Sequence, residues 1–166
     1  MITVAILTLS DKGSKGERED LAGPLIREMI MGIGATVKYY EVIPDEKDLI
    51  KEKLMDFSKK VDLVLTTGGT GLSPRDVTPE ATLEVIDKEI PGIAETMRSV
   101  GLAKTKRAML SRAVAGIRGQ ALIINLPGSP KAVKEGLEAI MDVLPHAIEK
   151  IKGSTEDCAS GDCIRR

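Results

Sequence analysis

Three glycines and three threonines form one unbroken hexapeptide, Thr66-Thr67-Gly68-Gly69-Thr70-Gly71. Glycine lets backbone N–H groups close on an anion, and threonine hydroxyls add donors, so the segment suits a phosphate. The same residues also suit a tight strand-to-loop turn. The spacing is not that of a P-loop, whose lysine is missing, nor that of the dinucleotide fingerprint. Arg75 and Asp76 follow closely. An arginine can clamp phosphate and a carboxylate can hold Mg²⁺, with a local ion pair as the alternative. Thr78 before Pro79 reads as an N-cap followed by proline at the first helical position.

Asn125-Leu126-Pro127-Gly128-Ser129-Pro130-Lys131 repeats this grammar. Ser129 reads as an N-cap and Pro130 as the first helical residue. The free N–H groups of such a helix start attract anions, and Lys131 adds a positive charge. Asp45, in Pro44-Asp45-Glu46, is either the N-cap of the next helix or a ligand to metal or substrate. Ser111-Arg112 is an anion contact or an ordinary strand-edge pair. His146, the one histidine, falls inside the last helix. Cys158 and Cys163, the two cysteines, lie in the tail, without the spacing or partners of a zinc site.

The elements that would position these residues are legible from hydrophobic pattern. Ile2–Leu9 and Val61–Thr67 are apolar runs, the signature of strands buried on both faces, and Ala121–Leu126 is a candidate strand after Gly119. Thr36–Ile43 and Ala113–Ile117 read as further strands, and Ser10–Glu19 as a loop. Leu21, Leu25, Met29 and Ile33 recur every four residues as a helical stripe. Helices are expected over Asp45–Lys59, Pro79–Lys88, Pro91–Ala103 and Pro130–Ile151, the last with a possible break at Pro145. Alternating strands and helices predict an α/β domain with a mostly parallel sheet. Ligands of such sheets bind beyond the carboxyl ends of the strands, where all of the loops above should open.

Composition narrows the function. Aromatic residues make up 2% of the chain and net charge is −1. That argues against stacking on single-stranded nucleic acid and against attraction to DNA or an anionic membrane. No apolar run approaches the roughly 20 residues that span a bilayer. Met1–Ser10 lacks the basic start of a signal peptide. The expectation is a cytoplasmic protein with one domain over residues 1–152 and a flexible C-terminal tail over 153–166.

The ordered set Ser10-Asp11, Ile43-Pro44-Asp45, Thr66–Gly71, Arg75-Asp76-Val77-Thr78-Pro79-Glu80-Ala81-Thr82, Pro91-Gly92, Leu110-Ser111-Arg112 and Asn125–Pro130 resembles the MogA/MoaB family of molybdenum-cofactor biosynthesis, to which the gephyrin and plant Cnx-type G domains are similar. The resemblance runs from about Ile2 to about Lys152. It implies a three-layer α/β/α fold, assembly as a trimer or hexamer, and molybdopterin as ligand. Active members transfer AMP from ATP to the terminal phosphate of molybdopterin with Mg²⁺ and release pyrophosphate. A MoeA-type protein then inserts the metal, molybdenum or tungsten. The family's two functional aspartates match Asp45 and Asp76, which are expected to hold Mg²⁺. Gly68, Gly69, Thr70 and Gly71 would cradle phosphate. Ser10, Ser73, Ser111, Pro127, Gly128, Ser129 and Lys131 would contact ligand. Leu72-Ser73-Pro74-Arg75 is a form shared with MoaB-type members, some of which bind the pterin without adenylating it; that non-catalytic role is the alternative.

Overall fold

The computed structural model describes residues 1–154. The expectations for Cys158, Cys163 and nearly all of the tail therefore lie outside the described residues. Six strands form one sheet in the order β2-β1-β3-β6-β5-β4. They are β1 (Thr3–Leu9), β2 (Thr36–Ile43), β3 (Leu63–Thr67), β4 (Lys88–Glu89), β5 (Ala115–Arg118) and β6 (Ala121–Leu126). The first four in that order are parallel to one another, whereas β5 runs antiparallel to both β6 and β4.

Alternation along the three central strands divides the core into two layers, because successive side chains leave a strand on opposite faces. Val4, Ile6, Leu63, Leu65, Leu122 and Ile124 face α2 (Ala22–Met31), α5 (Pro91–Leu102), α6 (Pro130–Glu138) and α7 (Leu144–Ile151), which contribute Ile26, Met97, Val133 and Ile148 among others. Ala5, Leu7, Val64 and Ile123 face α3 (Lys47–Phe57) and α4 (Thr78–Val85), where Phe57 and Leu54 fill the layer. This is the expected α/β arrangement, a mostly parallel sheet with helices on both faces. Among the described residues no helix is long and apolar enough to cross a membrane.

Several boundaries differ from the sequence expectation. The loop after β1 contains a short helix, α1 (Asp11–Ser14), whose start is capped by the Ser10 hydroxyl accepting from Gly13 N–H at 2.9 Å. The helix expected to reach Lys88 stops at Val85, and Lys88–Glu89 instead adds the edge strand β4. The long C-terminal helix is two helices separated by a 3₁₀ turn at Met141–Val143. Pro145 lies in the first turn of α7, where a missing N–H is harmless, so the break precedes it.

Candidate functional site

The chain passes from β1 to β2 on one side and then to β3 on the other, so the β1–β3 junction is the point where the winding of the sheet reverses. In parallel α/β sheets that reversal opens a crevice at the strands' carboxyl ends. Here the crevice is bordered by Leu9 and Ser10 after β1 and by Thr67, Gly68 and Gly69 after β3.

The glycine loop turns sharply because Gly68 and Gly69 adopt φ of 96° and 66°. These values favour glycine on backbone grounds, and space forbids a side chain as well. A Cβ on Gly68 would run into the Leu9 carbonyl, and one on Gly69 into the Thr78 hydroxyl. Thr78 N–H donates to Gly69 O at 3.1 Å and Thr78 Oγ1 donates to Gly68 O at 3.0 Å. Thr78 is therefore a clasp on the loop; it is the first residue of α4, and Val77 occupies the N-cap position. Thr67 Oγ1 donates to Pro127 O at 2.6 Å, which ties this loop to the Pro127–Ser129 segment. Buried Asn125 completes the junction, donating to Thr66 Oγ1 at 3.0 Å and to Thr82 Oγ1 at 2.9 Å.

Two cavities meet over this junction. One, of about 580 Å³, lies between the glycine loop, α5, α6 and the 3₁₀ segment Lys106–Leu110. Its apolar wall includes Ala94, Met97, Gly101, Ala108 and Ala113. The other, of about 560 Å³, lies over β1 and the start of α2 and is lined by Ser10, Asp20 and Asp45. Gly69, Asp76, Gly128 and Ser129 line both. The first cavity also takes Thr70, Gly71, Ser111 and Pro127, and the second takes Gly68. Thus nearly all of the expected site residues converge.

Two do not. Lys131 is exposed and lines a separate shallow hollow with Lys104 and Lys134. Ser73 is exposed and lines neither cavity; its N–H donates to Asp76 Oδ2 at 2.9 Å. Ser129 is the N-cap of α6, but its side chain makes no capping bond.

Asp45 is not a helix cap: α3 begins at Lys47, with Glu46 in the cap position. Asp45 instead faces Asp11 in a reciprocal pair. Asp11 N–H donates to Asp45 Oδ2 at 3.0 Å, and Asp45 N–H donates to Asp11 Oδ1 at 3.1 Å. Arg75 grips the Asp11 carboxylate through Nε at 2.9 Å and Nη2 at 2.7 Å. That hydrogen bonding holds the Asp11 carboxyl below its ordinary pKa. Burial, with added repulsion from Asp11 and Asp76, pushes the Asp45 carboxyl up. Asp45 Oδ1 is buried without a hydrogen-bond partner. A buried carboxylate oxygen left bare beside other acidic groups is the environment of a cation ligand.

Asp20 organises the outer wall of the second cavity. Its Oδ2 accepts from Thr8 Oγ1 and Tyr40 OH, each at 2.5 Å, and its Oδ1 accepts from Ala22 N and Gly23 N, each at 3.0 Å. Burial opposes its charge, but these donors outweigh it and the carboxyl lies below its ordinary pKa. Tyr40 is pushed up to about 12 by burial and by Asp20. Sequence reasoning missed Asp20; its one local signal is its place two residues before α2.

Known proteins share this sequence and fold. A family model described as "Probable molybdopterin binding domain" matches residues 5–146. The molybdopterin adenylyltransferase of Helicobacter pylori (strain ATCC 700392 / 26695) is 45% identical over 157 residues, covering 92% of this chain and 89% of that protein. The molybdopterin biosynthesis enzyme MoaB of Thermus thermophilus superposes with a TM-score of 0.88 at 54% identity, covering 93% of this chain and 98% of that one. The tungsten cofactor synthesizing protein MoaB of Pyrococcus furiosus superposes with a TM-score of 0.84 at 38% identity, covering 92% and 98%. With sequence and fold in accord along nearly its whole length, the chain belongs to the MogA/MoaB molybdopterin-binding family.

Proposed function

We propose that this protein transfers the adenylyl group of ATP to the terminal phosphate of molybdopterin. The observation that supports this best is the pair of cavities that share Gly69, Asp76, Gly128 and Ser129. Two ligands, one in each cavity, would bring their phosphates together over those shared residues. An oxygen of the molybdopterin phosphate attacks the α-phosphorus of ATP, the bond to the bridging α–β oxygen breaks, and pyrophosphate leaves with that electron pair. The nucleophile is already ionised at neutral pH, so no general base is required. This fits a junction whose shared lining includes no histidine.

The residues suit Mg²⁺ as well. Among the described residues no group of three or more His, Cys, Asp or Glu forms a metal cage. Magnesium bound with phosphates needs only one or two carboxylates, and Asp45, with its bare Oδ1, and Asp76 supply them. The ion would neutralise charge at the α-phosphate and hold it in line. Asp76 would bring its charge to the wall shared by both cavities and Asp45 would add its own from the second, Gly68 and Gly69 allow close approach of backbone, and α6 presents an N-terminus free of a side-chain cap. Catalysis then rests on alignment and charge neutralisation. The same reading takes a MoeA-type protein as recipient of the product and a homotrimer or hexamer as the assembly.

The test is the fate of α-labelled ATP incubated with molybdopterin, Mg²⁺ and protein. Label recovered in an adenylylated pterin supports the reading. Label that stays in the nucleotide while the pterin is bound supports the non-catalytic role instead.

A further inference from the structure

Asp76 sits at the end of a loop with little packing of its own: Leu72, Ser73, Pro74 and Arg75 are all exposed. We infer that Arg112 is the positioning residue that sets this loop, and with it Asp76, against the two cavities. Its guanidinium reaches both ends of the loop. Nε donates to Gly71 O at 2.7 Å, Nη2 donates to Asp76 O at 2.6 Å, and Nη1 pairs with Glu80 in the first turn of α4. Its backbone N–H adds a bond to Thr70 O at 3.0 Å. One planar fork thus spans the residues that open and close the excursion from Gly71 to Asp76.

The neighbouring residue has a different task. Ser111 lines the first cavity, whereas Arg112 lines neither. The dipeptide therefore divides into a ligand-facing side chain and a brace behind the loop. Burial opposes the charge of Glu80, but the Arg112 hydrogen bond, a backbone hydrogen bond and the charges of Arg112 and Lys47 together outweigh it, and the carboxyl lies below its ordinary pKa, so the pair stays charged. Glu80 Oε2 is buried without a hydrogen-bond partner, and Arg112 is the side chain that pairs with this carboxylate through Oε1. A lysine could meet one of these acceptors as a point charge but cannot reproduce the planar fork. A displacement of Asp76 by about 1 Å would cost on the order of a hundredfold in rate.

The experiment compares Arg112→Lys, Arg112→Gln and Glu80→Gln in the full chain, with both Arg112 variants made so that at least one folded form is read. Backbone hydrogen exchange over residues 70–77 is expected to accelerate about tenfold or more in the Arg112 variants, with β3 unchanged. Rates of pyrophosphate release, which rest on the adenylyl-transfer reading, are expected to show kcat down about a hundredfold, KM for molybdopterin within about threefold, and a higher Mg²⁺ concentration for half-maximal rate. Glu80→Gln keeps both carbonyl contacts and should stay within about threefold of the wild-type rate. Unchanged exchange overturns the inference. So does accelerated exchange with wild-type kcat and Mg²⁺ requirement, or a Glu80→Gln loss as large as that of the Arg112 variants. If the wild-type protein itself releases no pyrophosphate, the functional reading fails, and the exchange arm still decides whether Arg112 braces the loop.

Discussion

The two cavities that meet at Asp76 differ little in size, about 580 Å³ against about 560 Å³, but much in construction. The first owes its shape to small and apolar side chains. Ala94, Ala108 and Ala113 contribute small side chains to the wall, and Gly101 lets α5 approach Ala108, to which an added Cβ would come within 2.8 Å. Its Arg98 is committed to the carbonyls of Ser111 and Ala113. The second is shaped by hydrogen-bonded carboxylates, Asp20 with four donors and Asp45 in its exchange with Asp11. Substitutions should therefore act through different quantities. In the first cavity they change how well a ligand fits. In the second they change charge, and with it rate and stability.

The shared wall gives the largest effect. Asp76→Ala should keep the fold and molybdopterin binding while adenylyl transfer falls on the order of a thousandfold, read by pyrophosphate release and pterin titration. Loss of pterin binding alongside rate would make Asp76 a residue of one cavity rather than of the junction.

Asp45→Asn follows, with a loss of about a hundredfold in rate and an opposite effect on stability. The folded Asp45 carboxyl ionises less readily than the unfolded one. Its charge therefore lowers stability above the unfolded pKa, and that cost disappears as pH falls below it. Thermal unfolding near neutral pH should show the Asn variant melting at or above the wild type, by about 2 °C. A lower melting temperature would contradict the view that this charge is held against the fold's preference.

Asp20 makes the reverse case within the same cavity. Its pKa is lowered in the fold, so its contribution is present above the unfolded value and is lost as pH falls through the folded one. Asp20→Asn should cost about 2 kcal/mol in denaturant unfolding at neutral pH, and the deficit should shrink in acid. Equal stability across pH would show that the four donors are satisfied elsewhere.

The smallest expected effect belongs to the apolar side. Ala132, half-buried and facing the first cavity, tolerates added bulk only at the expense of ligand space. Ala132→Phe should raise KM for one substrate about tenfold and leave kcat and the other KM near wild type. Equal rises in both values would mean that the cavities do not hold separate ligands.

These contrasts also show what a linear reading of residues can reach. The central strands were legible because Ile2–Leu9, Val61–Thr67 and Ala121–Leu126 are mostly apolar and the strands within them are buried on both faces. The loops after them could be placed at one edge of the sheet because parallel strands share their carboxyl ends. Asp45 alone was ambiguous between cap and ligand, and the resemblance rather than spacing favoured the ligand. The roles of Asp11, Asp20 and Arg112 depend on partners far away along the chain, such as Arg75 for Asp11 and Gly71 for Arg112, and no local pattern encodes such pairs. Lys131 shows the converse. It follows an anion-binding motif in sequence, yet the turn of α6 carries it away from both cavities. The short β4 escaped notice because Lys88-Glu89 has no strand-like pattern and is held only at the sheet's edge by β5.

The most direct measurement of the central claim is pyrophosphate release from purified protein mixed with molybdopterin, ATP and Mg²⁺, each omitted in turn. The account predicts release that requires all three and that Asp76→Ala abolishes. No release from a sample in which molybdopterin binding is verified would contradict it and leave a pterin-binding protein without this chemistry.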